Sequence, residues 1–285
     1  MNSTKNNEYW DLIVRPKNNL FNLKLFELWA YKDLVVLMVK RDLTALYKQT
    51  ILGPIWMFLQ PLFTTLLYTF LSQQAQLKTD NLPPLLFYLI GQTYWLYFSE
   101  CFLKTSNTFI SNASVFGKVY FPRLVMPLSV IISNLIRLGI QILMMLCVYI
   151  YYLSTTNDIQ PNLTLIFLQP LLIIMLGLFA LGLGILFSAL TTKYRDFSFL
   201  LGFGLQLFMF VSGIVFPAST FGDKTKFILM FNPVMAITEA IKFGLTGQGY
   251  FSPFHLFISC IIIFIILLFS IIIFNKTEQT FMDTV

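Results

Sequence analysis

Charge is scarce in this chain. Only 11% of its 285 residues are Asp, Glu, Lys or Arg, and the single histidine is His255. Three cysteines, Cys101, Cys147 and Cys260, lie far apart in or beside apolar runs. They read as small buried hydrophobes, not as a disulfide or metal set. No H-E-x-x-H or paired-cysteine spacing occurs, so no metal is expected. The phosphate loop G-x-x-x-x-G-K-[ST] is also missing, which leaves the chain without the usual means of holding ATP. Energy would have to come from a gradient or from a partner chain. The first thirty residues are polar and charged, so no cleavable signal peptide is expected.

Apolar length is what the chain has instead. Hydrophobic residues make up 57% of it, and six long apolar stretches fill residues 51–275. A spanning helix needs about 20 mostly apolar residues to cross about 30 Å of hydrocarbon. These runs are too long and too apolar for barrel strands, and only helices or closed barrels satisfy their backbone in lipid. The expected fold class is an all-α integral membrane bundle, with spans at 54–71, 82–102, 127–153, 163–190, 197–216 and 254–274. Residues 1–30 then form an amino-terminal tail, 31–275 one transmembrane domain, and 276–285 a second tail. An amphipathic helix over 32–50, with Val35, Met38, Val39 and Leu43 on one face, precedes the first span. Such a helix lies in the membrane interface, its basic face toward anionic headgroups.

The net charge of +6 suggests nucleic acid only in a soluble protein. Here it follows the rule that Lys and Arg collect on the cytoplasmic side of a membrane. Fourteen of the nineteen basic residues fall on the side of the amino terminus, four on the other, and Arg137 within a span. Both termini are therefore expected in the cytoplasm of a multi-pass protein.

Several segments carry chemistry. The connector 104–123, KTSNTFISNASVFGKVYFPR, sets Phe116, Val119, Tyr120 and Phe121 among Lys118 and Arg123, with Asn112 or Ser114 as a helix cap. It suits a helix seated in a groove of another protein, or a plain interfacial connector. A second connector centres on Tyr194, Arg195 and Asp196. The outer stretch 217–253 is too apolar for water and too often broken to span. Two short helices dipping into the outer leaflet and meeting at Asn232-Pro233 fit it, with Glu239 and Lys242 pairing on a polar face. Charges within spans are costly, so Glu100 and Arg137 either form a salt bridge or line a polar pathway. Tyr94, Trp95, Tyr97 and Phe98 fall mid-span, where they either face lipid or the core, or line a lumen for a sliding glycan.

Four stretches carry a family likeness, in order: KRDLTALYKQTILGPIWMFLQPL at 40–62, NASVFGKVYFPRLVMPLS at 112–129, TTKYRDF at 191–197 and FNPVMAITEAIKFGL at 231–245. The chain resembles the membrane subunit of type-two ABC exporters that move lipid-linked polysaccharide such as O-antigen. The resemblance implies a homodimer in the bacterial inner membrane and a separate cytoplasmic ATPase that binds ATP and Mg. The substrate would be a polyprenyl-pyrophosphate-linked glycan, with membrane lipids but no nucleic acid as further partners. Asn112, Phe116, Lys118, Tyr120, Phe121 and Arg123 would then form the coupling segment on the ATPase. Arg41, Lys48 and Arg123 would meet the lipid pyrophosphate, and Tyr194, Arg195 and Asp196 would flank an inner gate. Tyr94, Trp95, Tyr97, Phe98, Glu100 and Arg137 would line the channel, and Asn232, Pro233, Glu239 and Lys242 would belong to the outer cap. Export of teichoic acid or capsule, or efflux of a drug or lipid, shares this plan. A lipid-modifying enzyme lacks its acid/base or metal set, and a proton-coupled carrier has only Glu100 and Glu239 to work with.

Overall fold

A computed structural model describes residues 25–48, 53–116, 118, 121–156, 159–194 and 196–284, all helix, turn or loop with no strand among them. The amino-terminal elements are α1 (Leu25–Ala30) and α2 (Lys32–Lys48). A 3₁₀ turn, Gly53–Ile55, leads into α3 (Trp56–Gln74). Next come α4 (Pro84–Ser106), the one-turn helices α5 (Thr108–Ser111) and α6 (Ala113–Phe116), α7 (Val125–Thr155) and α8 (Leu163–Lys193). The chain closes with α9 (Phe197–Phe210), α10 (Asp223–Leu229), α11 (Pro233–Thr246) and α12 (Pro253–Thr284).

A helix stands at each of the six expected places. By length and hydropathy, α7, α8 and the Pro253–Asn275 part of α12 qualify as membrane spans. The chain is thus an all-α integral membrane protein. The polar content of α4 has a physical reason: it is the central helix, wrapped by α3, α7, α8, α9 and α11, and shows few side chains to any solvent. Pro83 and Pro84 start it at the position where a missing N–H costs least.

Close approach of α4 to α8 depends on small residues. A Cβ at Gly184 would come within 2.7 Å of Thr105 Cγ2, closer than atoms can pack. Around this seam the main core gathers Tyr94, Trp95, Phe98, Phe102, Phe179 and Leu205. A second, lower core joins Val35 and Val39 of α2 to Phe109, Phe116, Phe121, Val125 and Phe274. The apolar face of α2 is therefore split. Val35 and Val39 pack inside the protein, whereas Val36 and Leu37 remain exposed.

Two elements depart from the hydropathy pattern. The run 197–216 predicts a full span, yet α9 stops at Phe210 after 14 residues, about 21 Å at 1.5 Å per residue. The backbone then turns through Gly213, whose φ of +75° favours glycine. The second departure is α12, which continues as helix to Thr284 past the expected end near 274.

The stretch 217–253 contains two α-helices. α10 and α11 meet at a bend of 105° around Asn232, which caps α11 by accepting from the Val234 N–H at 3.0 Å. At its other end, Gly247 closes α11 in the left-handed conformation, φ +69°. The last carbonyls there are satisfied by Asn162 N to Gly244 O (2.9 Å), the Tyr149 hydroxyl to Leu245 O (2.6 Å) and Gln160 N to Thr246 O (3.0 Å). Burial of α11 in apolar surroundings requires this accounting.

Candidate functional site

Polar side chains gather where α2, the carboxy-terminal end of α4, the end of α5 and the first half of α7 converge. They line a cleft of about 800 Å³. Each helix supplies its residues at one-turn spacing. Glu100, Lys104 and Asn107 descend one face of α4, and Val130, Ser133, Asn134 and Arg137 one face of α7. Arg41 and Asp42 come from α2, and Ser111 and Asn112 from the elbow after α4. Lys104 Nζ stands 2.5 Å from Glu100 Oε2, and Arg137 Nη1 reaches the same oxygen at 3.8 Å. Arg41 Nη2 holds Asp42 Oδ1 at 2.8 Å. Three cations against two carboxylates leave the cleft positive. A smaller space of about 110 Å³ shares Glu100, Asn134 and Arg137 with it and extends between α3, α4 and α7 past Trp56, Gln60 and Gln141. The chemistry on offer is charge-assisted hydrogen bonding to an anion from guanidinium and ammonium groups, with amides beside them.

Below the cleft, the elbow of α5 and α6 is fastened by aromatic rings. Phe116 stacks on Phe121 (centroids 5.5 Å apart), Phe109 lies 5.8 Å from Phe116, and Phe109 stacks on Phe274 at 5.4 Å. Hydrogen bonds tie the end of α8 and the start of α9 to the same corner. Thr191 Oγ1 donates to Ser106 O at 2.5 Å, and Ser198 Oγ to Asn107 Oδ1 at 2.5 Å.

A second polar cluster lies at the opposite end of α4. The carbonyls released where α9 unwinds, those of Val211, Ser212 and Gly213, each receive a side chain of α11. Asn232 Nδ2 donates to Val211 O (3.0 Å), Thr238 Oγ1 to Ser212 O (3.1 Å), and Lys242 Nζ to Gly213 O. Lys242 Nζ also stands 3.3 Å from Glu239 Oε1 and 3.7 Å from the centroid of the Phe87 ring, with both charged side chains no more than 1% exposed.

The ABC-2 type transporter family profile matches residues 33–246, from the start of α2 to the last residue of α11. The chain belongs to the ABC-2 type transporter family. A protein named O-antigen export system permease protein RfbA from Klebsiella pneumoniae is 27% identical over 256 residues, 88% of this chain and 94% of its own length. A second Klebsiella pneumoniae protein of the same name is 26% identical over the same extent. One from Myxococcus xanthus is 27% identical over 219 residues, 76% of this chain and 81% of its own length.

In this ABC-2 chain the residues singled out by sequence separate into groups. Glu100, Arg137, Arg41 and Asn112 meet in the cleft. Lys48 and Arg123 do not line it; Arg123 lies over the Phe116 ring at 5.8 Å, and Lys48 is exposed at the end of α2. Phe116 and Phe121 are buried, so they hold the elbow from within, while Lys118 is exposed. Tyr120 and Arg195 lie outside the described residues. Tyr194 and Asp196 are exposed, with Lys193 Nζ 5.3 Å from the Tyr194 ring. Tyr97 borders the smaller space beside Glu100 and Arg137, whereas Tyr94, Trp95 and Phe98 line neither of the two spaces described. They are core, and Tyr94 accepts from Gln169 Nε2 at 2.8 Å. Asn232, Pro233, Glu239 and Lys242 do come together, but Pro233, Glu239 and Lys242 are buried and only Asn232 is half-exposed, so the pair does not lie on a polar face.

Lys104, Asn107 and Asn134 are cleft residues that sequence alone does not single out. The spacing of Lys104 four residues after Glu100 is a usable signal. For the amides there is none beyond their place one turn from a charged residue.

Proposed function

We propose that this chain is the permease subunit of an ABC exporter that carries a lipid-linked, O-antigen-like polysaccharide from the cytoplasmic to the outer side of the bacterial inner membrane. It would work as a homodimer, powered by a separate ATPase. The observation that carries this reading is the similarity, over 88% of the chain, to proteins named for O-antigen export. The cleft supports it on chemical grounds, because its cations suit the pyrophosphate that links glycan to lipid. The same end of α4 faces the cytoplasm under the charge rule for membrane topology.

The coupling path runs through packing. A push on the exposed outside of α5 and α6 is passed by Phe109, Phe116 and Phe121 to α2, α7 and α12. Thr191 and Ser198 carry it to α8 and α9. ATP binding in the partner would shift the elbow, and the elbow would shift the helices that bound the cleft. Lys118 and Arg123 would contribute charge to the ATPase contact, and Tyr194, Arg195 and Asp196 would lie beside the inner gate. Six spans with both termini in the cytoplasm, and α10 and α11 capping the outer side, complete the arrangement.

Deletion of the gene tests the reading. The expected phenotype is lipopolysaccharide core without polymer and glycan held on the cytoplasmic side, restored by the intact chain. Unchanged surface polymer together with sensitivity to a drug would assign the chain to efflux instead.

A further inference from the structure

We propose that Glu100 is an internal counter-anion that holds the place of the substrate's diphosphate in the empty cleft and gives it up on loading. The inference rests on the function proposed above, and it adds a specificity-determining residue to that site.

The geometry is that of a shared acceptor. One carboxylate oxygen, Glu100 Oε2, serves both Lys104 Nζ at 2.5 Å and Arg137 Nη1 at 3.8 Å. The second contact is long for a charge-assisted bond, so Arg137 is attracted to Glu100 but not clamped by it. Arg137 Nε has no hydrogen-bond partner among the described residues. The glutamate is held neither by a third donor nor by tight burial: its side chain is 39% exposed, against 18% for Arg137. It sits on a cleft wall and can rotate away without unpacking a core.

Charge gives the reason for such a device. Arg41, Lys104 and Arg137 oppose Asp42 and Glu100 in the cleft, a balance of one positive charge. A diphosphate diester carries about two negative charges, so it is matched only once Glu100 releases its cations. In the empty protein, Glu100 spares Arg137 an uncompensated position at the edge of the hydrocarbon, where a lone charge is expensive. An uncharged lipid or a zwitterionic headgroup cannot displace it. A doubly charged headgroup can, and selectivity follows from that competition.

The test uses the full chain with its ATPase in nanodiscs, and measures binding of polyprenyl diphosphate, of inorganic diphosphate and of phosphatidylglycerol, a singly charged phosphodiester. Glu100→Gln, which removes the competing charge, is expected to tighten polyprenyl diphosphate by roughly threefold to tenfold, the range two half-exposed ion pairs allow. It should also narrow the preference for the diphosphate lipid over the singly charged phosphodiester. Glu100→Asp, which keeps the charge, should bind as the parent does. Binding of inorganic diphosphate to the same tightened degree would show that the headgroup alone is read; tightening confined to the lipid form would show that the lipid is needed to bring it to the cleft. Either outcome supports the exchange. Weaker or unchanged binding by Glu100→Gln, with the parent still binding polyprenyl diphosphate, would overturn the counter-anion role alone and leave a structural ion pair. No binding of diphosphate lipid by the parent would overturn the assignment of the cleft itself.

Discussion

Lys242 shows what a single residue can be made to hold. Its ammonium meets a carboxylate, a backbone carbonyl and the face of Phe87 at once, while almost none of it is exposed. Removing one partner of such a buried pair leaves the other charge uncompensated, at a cost of about 3 to 5 kcal/mol. Lys242→Met should therefore lower the unfolding temperature of the purified protein sharply. Glu239→Gln together with Lys242→Met should recover part of the loss, and an unaltered single variant would refute the arrangement. The three-residue spacing of Glu239 and Lys242 is legible in the sequence as a pair. Their burial is not, because a helix inserted among others has no solvent face to which its polar residues are owed. The same ambiguity applies to Tyr94, Trp95, Tyr97 and Phe98: aromatic residues mid-span look alike whether they face a lumen or a core, and here they pack against α8 and α9.

Elements were more readable than side-chain environments. Apolar run length locates all six long helices to within a few residues at most ends. It fails at α9, because the end of that helix is set by Asn232, Thr238 and Lys242, residues 20 or more positions away that take over its carbonyls. Periodicity within the run holds no trace of them. Helix contact is the more exacting test at this scale. Gly184→Leu would drive a side chain into Thr105 and the Phe102 carbonyl and part α8 from α4. Gly139→Leu, at a position with open space around its Cβ, serves as control. Folded yield and monodispersity in detergent should collapse for the first and hold for the second. The elbow invites a paired experiment. Phe109→Ala removes a ring buried between Phe116 and Phe274, with a cost near 3 kcal/mol, and is expected to slow ATP-driven export while the ATPase remains bound. Lys118→Glu, on the exposed side, should leave stability alone and weaken the ATPase complex in a pull-down. The reverse pattern would mean that the elbow is not the docking segment.

At the scale of the whole molecule, the polar groups collect at the two ends of α4. The cleft gathers at its carboxy-terminal end and the sealed cluster of α11 at its amino-terminal end, with an aromatic core between. Such a helix can carry a displacement from one polar cluster to the other, because each end is fastened to different neighbours. The proposed topology has a direct consequence. In a variant lacking the native cysteines, a thiol placed at Lys224 should react with an impermeant reagent added outside intact spheroplasts, and one placed at Lys118 should react only after lysis. Labelling of both from the same side would contradict the six-span arrangement.

Transport in a defined system addresses the central claim, that this chain is the conduit, loaded at the cleft, and that the motor is another chain. Proteoliposomes would hold the permease with its ATPase and a diphosphate-linked glycan in the leaflet facing the ATPase, and arrival in the opposite leaflet would be read with an impermeant glycan probe. Glycan should cross only when both proteins and ATP are present, and Arg137→Glu should stop it without dissociating the complex. Crossing by the permease alone, or crossing unaffected by Arg137→Glu, would contradict the account.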